Sequence, residues 1–246
     1  MNLYGKASQG NFILNRGTAM FNSGKKSESL FWDKEYESNM RIWGDRPSEL
    51  ALIAVKYLQN HRLNDKFLSI LDIGCGYGRD CLYLAKHLNC CVLGIDTSQK
   101  ALEILAKSLV GPCVKAVQFR CCNFMDMDNC KYDIVFASNL YQILHRKQRE
   151  ELRKKITNLL KPQGLLFLNN LSVNDPEEYG KGELCPDEPN SFKGEKYLHF
   201  CTREELEEDF RFLTIQELYE HKYDEPRVQG KTHHHISWIL IGELIG

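Results

Sequence analysis

The chain has 246 residues, with 32 Lys plus Arg against 33 Asp plus Glu, a net charge of −1, 43% hydrophobic and 26% charged residues. That length suits one α/β domain with appendages, and the composition is that of an ordinary globular protein. The balanced charge gives no general attraction for phosphate backbones or acidic membranes, no apolar run reaches the length of a membrane span, and no signal peptide opens the chain, so neither a nucleic-acid nor a membrane partner is expected.

Residues 1–28 are polar, rich in Gly, Asn and Ser and without clear period, which predicts a flexible tail ahead of a domain over 29–246. Two of the three tryptophans follow at once, in Phe31-Trp32-Asp33-Lys34-Glu35-Tyr36 and Ile42-Trp43-Gly44-Asp45-Arg46-Pro47-Ser48. Pro47 is placed as a first helical residue, and Leu50, Ile53, Ala54, Tyr57 and Leu58 make one apolar face behind it. On the residues alone the aromatic cluster serves equally as packing or as a ligand cover.

An apolar run from Phe67 to Ile73 then stops in three glycines at alternate positions, Gly74-Cys75-Gly76-Tyr77-Gly78-Arg79-Asp80. Cys81, Leu84, Ala85 and Leu88 resume at helical spacing, so the stretch is strand, tight loop, helix. Glycines let a ligand lie against bare main chain, and the helix N-terminus behind them offers free N–H groups and a positive dipole end. Cys91 to Asp96 is a second strand that ends in an acid 22 residues after Gly74, where a parallel nucleotide-binding sheet sets a carboxylate against ribose hydroxyls. The pattern is D-x-G-x-G-x-G from Asp72, neither the dinucleotide fingerprint nor a phosphate loop.

This resembles motif I of the class I S-adenosylmethionine-dependent methyltransferases, with Asp96 as their ribose-binding acid. W-D-x-x-Y and W-G-x-x-P-S ahead of it resemble the tellurite-resistance and thiopurine type of small-molecule methyltransferase. The resemblance implies an N-terminal lid in which Trp32, Tyr36 and Trp43 cover the cofactor, and a methionine carboxylate reached by Arg79, although Asp80 stands where that family has Asn. It implies S-adenosyl-L-methionine as cofactor, S-adenosyl-L-homocysteine as product, and contacts from Asp72, Gly74, Cys75, Gly76, Gly78, Arg79, Asp96 and Thr97. Asn123 and Phe124 match its adenine-side positions, where Asp is commoner than Asn. The implied fold is α/β, a Rossmann-like seven-stranded sheet with an antiparallel seventh strand and helices on both faces.

Further along, Thr97 to Leu109 has helical period with Asp96 or Thr97 as cap, and Gly111-Pro112 breaks it. Strands are expected over Lys115–Cys122 and Tyr132–Ser138. Ser138, Asn139, Leu140 and Tyr141 stand at the carboxyl end and are expected to border the reacting methyl group. The [DN]-P-P-[YF] loop of many base- and glutamine-modifying methyltransferases does not occur there. A charged helix from about Lys147 ends at Pro162-Gln163-Gly164; its basic residues are interleaved with acids, as on a solvated face. A fifth strand covers Leu165–Leu171.

The polar, turn-rich segment 172–200 is long enough to be an active-site cover, and Thr202-Arg203-Glu204-Glu205 is a capping box opening a helix. Two last strands span Phe212–Tyr223 and Lys231–Leu244. An antiparallel last strand returns its first residues to the active-site rim, so Tyr179, His199, His221 and His235 are the candidate catalytic residues around the acceptor. Three readings stand for His233-His234-His235: solvated surface, acceptor contact or acid–base group, and metal ligand. No carboxylate-rich or thiolate partner stands out, so no metal is expected. The ten cysteines form no C-x-x-C pair, which predicts free thiols and a cytoplasmic protein. The expected reaction is methyl transfer to a small-molecule acceptor with a soft nucleophile, thiol or chalcogen; the rivals are a protein- or RNA-modifying methyltransferase and a non-catalytic cofactor-binding subunit. The oligomeric state is not legible.

Overall fold

A computed structural model describes residues 23–38, 41–108, 116–226 and 232–246. Residues 1–22 of the expected tail, Gly111-Pro112 and the Lys231 start of the last strand lie outside these. The first helix, α1, runs Ser23–Ser38 and so begins inside the segment read as tail; α2 is Glu49–Asn60. Ser48, and not Pro47, sets the start of α2, its side chain accepting from the Ala51 amide at 3.2 Å.

The main sheet holds β1 (Leu68–Ile73), β2 (Cys90–Asp96), β3 (Val117–Cys121), β4 (Tyr132–Ala137), β5 (Leu160–Leu171), β9 (Leu213–Pro226) and β10 (Thr232–Leu244). Its order is β3-β2-β1-β4-β5-β10-β9, with the first five parallel and β10 antiparallel to both its neighbours. The intervening helices are α3 (Arg79–His87), α4 (Gln99–Ser108), α5 (Arg146–Leu159) and α6 (Arg203–Asp209). Strands β1 and β4, buried on both faces, are near-continuous apolar runs, as a helix-covered parallel sheet requires. One core joins the sheet to α2, α3 and α4 through Ile70, Phe136, Phe167 and Ile239; the other joins it to α5 and α6 through Val135, Leu166, Leu168 and Leu240. This is the expected α/β, Rossmann-like architecture, with the strand order reversing between β1 and β4 and so opening a crevice at their carboxyl ends.

Segment 172–200 is a folded unit. It carries a three-stranded sheet of β6 (Glu183–Leu184), β7 (Ser191–Lys193) and β8 (Tyr197–His199). Buried Asp175 ties it to β10 by accepting from the Ile236 amide at 2.8 Å and facing His235 Nδ1 at 3.0 Å. Glu188 ties it to the start of α5 by accepting from the Arg146 amide at 2.8 Å.

Candidate functional site

The three glycines after β1 all have left-handed backbone, φ +77 at Gly74, +53 at Gly76 and +75 at Gly78. A side chain is disfavoured there sterically as well. A Cβ on Gly74 would lie 3.1 Å from Leu140, and one on Gly76 would lie 2.9 Å from the Tyr36 hydroxyl. The loop is pinned to β2, where the Gly74 and Cys75 amides donate to the Ile95 carbonyl and the Gly76 amide donates to Asp96 Oδ2 at 2.8 Å. Asp96 Oδ1 accepts from the Ser98 amide at 2.8 Å, so Asp96 is held edge-on at the loop. Ser98 is also the cap of α4, since its hydroxyl accepts from the Ala101 amide; Asp96 and Thr97 do not cap.

A cavity opens over this loop. Its lining includes Trp32, Tyr36, Trp43, Asp72, Gly74, Cys75, Gly76, Arg79, Asp96, Thr97, Phe124, Ser138 and Asn139, all singled out in the sequence. Gly78 and Asn123 are not part of it. The missing Cβ of Gly78 faces Leu105 and Phe119, so that glycine serves packing of the loop on α4 and β3. The Asn123 side chain accepts from the Met125 amide at 2.9 Å and so caps the short turn Phe124–Asp126; Cys122 takes its place in the lining.

Leu140, in the stretch expected beside the methyl group, also lines the site, whereas Tyr141 turns away and donates to Asp209; Tyr77, Asp80 and Ile143 complete the lining and were not anticipated from sequence. Tyr77 and Asp80 lie inside the glycine motif, but their partners are 32 to 34 positions away. The Tyr77 hydroxyl accepts from the Trp43 amide at 3.0 Å and donates to the Gly44 carbonyl at 2.8 Å; Asp80 Oδ1 accepts from the Ser48 amide at 2.7 Å. Arg79 joins the same clasp by donating to the Trp43 and Arg46 carbonyls at 2.8 and 3.1 Å. The segment carrying Trp43 is thus buttoned to the glycine loop by three side chains. Above it, Lys196 of the 172–200 unit sits 5.4 Å over the Trp43 ring.

The charge of the cavity is lopsided. Asp72, Asp80 and Asp96 line it with Arg79 as the one cation among the lining residues. Burial, and then the Asp80 charge, push Asp72 up to about 8, against the Cys81 thiol bonded to it at 3.0 Å. Asp96 is also raised by burial, opposed by the Ser98 and Gly76 amides. Three acids against one arginine leave the cavity suited to a ligand with net positive charge. S-adenosylmethionine, with a sulfonium and an ammonium against one carboxylate, fits it. The glycine loop and Asp96 would hold its ribose and amino-acid ends, and Phe124, Cys122 and Ile143 its base.

The four acceptor candidates do not converge, and none lines this cavity. His221 and His235 do come together. On one face of β9 and β10 the rings of His221, Tyr223, His235 and His233 follow one another at centroid spacings of 5.9, 5.6 and 6.0 Å. His234 points to the other face and meets Asp224 at 2.7 Å, as period two requires. His221 Nε2 lies 3.0 Å from Glu49 at the start of α2. Hydrogen bonds to Asp175 and Glu225 outweigh burial and raise His235 to about 9, so it is a cation at neutral pH. Tyr179 lies elsewhere, because its ring packs edge-on against Phe192 and Phe200. His199 is turned to the opposite side, into a second cavity with Arg146, Arg149, Glu205 and Asp209.

Residues 70–164 match the family model described as a methyltransferase domain. The ubiquinone biosynthesis O-methyltransferase of Bradyrhizobium diazoefficiens is 32% identical over 108 residues, 44% of this chain and 41% of that protein. The chain's match thus spans about two fifths of that relative's length. A solved structure described by the conversion of a disulfide bond into a thioacetal group in echinomycin biosynthesis superposes with a TM-score of 0.64 at 18% identity, over 88% of this chain and 91% of that one. The 1,6-didemethyltoxoflavin-N1-methyltransferase of Burkholderia thailandensis, with its substrate and S-adenosylhomocysteine bound, gives 0.62 at 17% identity, over 94% and 93%. Residues 70–164 thus match a methyltransferase domain, and the chain has the fold of the class I S-adenosylmethionine-dependent methyltransferases.

Proposed function

We propose that the chain transfers the methyl group of S-adenosylmethionine to a small-molecule acceptor seated over the carboxyl ends of β4 and β5 and the amino end of β10. The cofactor supplies a methyl group already activated on a sulfonium, so the protein's work is alignment and exclusion of water. Gly74, Gly76 and Asp96 fix one side of the reaction axis, and Trp32, Tyr36 and Trp43 close the cavity from outside. The observation that carries the reading is Ser138. It lines the cavity at the end of β4, and its buried hydroxyl has no hydrogen-bond partner among the described residues. An orphaned polar atom at that place is a contact reserved for a ligand.

The acceptor is proposed to be a soft nucleophile, a thiol or chalcogen anion. His235, raised to about 9 by its bonds to Asp175 and Glu225, holds its proton at neutral pH and is no general base. A nucleophile that ionises by itself needs no such base. The same fold carries sulfur chemistry in the disulfide-to-thioacetal protein, which supports this choice. A cytoplasmic location goes with it: all nine described cysteines are free, and no described helix is long and apolar enough to cross a membrane. No nucleic-acid partner is proposed.

Purified chain should be offered small thiols, selenide and tellurite beside amines, phenols, a peptide mixture and RNA. Methylation of the soft acceptors, with a pH profile following the acceptor's own ionisation, is expected. Preference for amines or phenols that collapses in His221→Gln would overturn the acceptor class, and labelling of peptide or RNA alone would make the substrate a macromolecule.

A further inference from the structure

His199 ends β8, Cys201 follows in a bridge with Ser172, and Glu205 lies in the first turn of α6. His199 and Cys201 are fully buried, and one ligand atom from each of the three residues lies within 4.8 Å of the other two. Tetrahedral zinc holds N and O at about 2.0–2.1 Å and S at about 2.3 Å, which sets donors about 3.3–3.6 Å apart. Shifts of about one ångström close the present arrangement onto that geometry.

Two details show that the group is aimed at a point between its members. Thr202 accepts from the Glu205 amide at 3.2 Å, as a capping box requires, yet Glu205 Oε1 turns to His199 Nε2, 2.8 Å away. On the other side of the ring, Ser191 Oγ lies 2.9 Å from Nδ1 and donates to the Pro189 carbonyl at 3.3 Å. The Ser191 hydroxyl, which also accepts from Tyr197 at 3.0 Å, can receive Nδ1–H; in that tautomer the Nε2 lone pair faces the Glu205 carboxylate, and a cation between them satisfies both acceptors. A proton can fill the place, but a proton has no use for a third donor, and Cys201 Sγ is aimed at the same region.

We infer that His199, Cys201 and Glu205 form a zinc(II) site that fastens the 172–200 unit to α6. An N, S, O donor set suits zinc, and the Ser191 hydroxyl fixes the ring tautomer as outer partners of zinc-bound histidines do. On binding, the Cys201 thiol gives its proton to solvent. The ion's two positive charges are then balanced by one thiolate and one carboxylate, with the imidazole neutral. Arg149 and Arg153 stand near, but Glu188 and Asp209 face them at 3.5 and 3.0 Å, so their charge is matched without the ion. A fourth position opens on the cavity beside His199 and Glu205, where water would complete the shell.

The test uses the full chain, stripped with a chelator and titrated with zinc against a chromophoric competitor. One zinc per chain is expected, with affinity at least tenfold lower in Cys201→Ser and in Glu205→Gln. Cobalt(II) in place of zinc should give thiolate-to-metal absorption that Cys201→Ser removes. Glu205 is part-exposed, so Glu205→Gln should fold, and zinc should raise the melting temperature of the parent chain but not of this variant. No zinc uptake would mean that a proton alone bridges the pair and would overturn the inference. So would uptake unchanged in Cys201→Ser but lost in Cys130→Ser, the exposed thiol.

Discussion

The Asp175–His235 pair offers a pH-dependent perturbation whose size can be worked out. Asp175 Oδ2 accepts from the Ile236 amide at 2.8 Å and faces His235 Nδ1 at 3.0 Å, while Oδ1 accepts from the Glu177 and Glu178 amides at 3.0 and 2.8 Å. Asp175→Asn puts an NH2 group where one oxygen was, and on either side it meets donors. Breaking a buried pair of this kind costs about 3–5 kcal/mol. His235 is raised from 6.5 to about 9 by Asp175 and Glu225, so its contribution is fully present below pH 6.5 and is lost as pH rises through about 9. Against burial, Asp175 is lowered by His235 and the Ile236 and Glu178 amides, so its share is present above the ordinary carboxylate range and is lost only in acid. The gap between 6.5 and about 9 is worth at most about 3 kcal/mol; solvent around part-exposed Glu225 reduces it to about 2 kcal/mol. Neutral His235 can in addition accept from the introduced amide. Urea unfolding should therefore show Asp175→Asn destabilised most near pH 6, with the deficit shrinking near pH 9.5 by the Asp175 share of that figure, about 1–2 kcal/mol, since Glu225 remains. A deficit that does not change with pH would refute the charged pair.

Three further outcomes test the cofactor site. Asp96→Ala should weaken S-adenosylmethionine binding by about 1–3 kcal/mol, or about 5- to 150-fold in Kd by calorimetry, because a charged acceptor is lost; unchanged affinity would remove Asp96 from the site. Gly76→Ala should be destabilised by about 1–2 kcal/mol from its left-handed backbone, plus the clash at the Tyr36 hydroxyl. Tyr36→Phe should recover the clash component, and additivity of the two changes in a double-mutant cycle would show that the ring is not in contact. Tryptophan fluorescence should respond to S-adenosylmethionine and lose most of that response in Trp32→Ala plus Trp43→Ala, since Trp238 is buried in the far core; a full response in the double variant would return the lid to plain packing.

Local signals in the sequence carried the fold and the cofactor loop. Glycines at alternate positions between an apolar run and a helical period admit few backbones, and the structure has left-handed φ at each. Period two on β10 put His233 and His235 on one face and His234 on the other, again a purely local consequence. What escaped depends on partners far along the chain. Arg79 and Tyr77 spend donors on carbonyls over 30 residues upstream, Glu205 leaves its capping partner for His199, and Tyr179 is claimed by Phe192 and Phe200. No spacing rule states which way a loop side chain turns when a second unit folds against it. Segment 172–200 is long and polar by composition, yet a small sheet orders it.

The most direct test of the account follows a labelled methyl group. Purified chain is incubated with S-adenosylmethionine labelled at the methyl and a small thiol, and product and S-adenosylhomocysteine are quantified together. One labelled thioether should appear for each S-adenosylhomocysteine, at a rate that falls with cofactor affinity in Asp96→Ala. Tight binding of S-adenosylmethionine with label remaining on it, whatever acceptor is offered, would contradict a catalytic role.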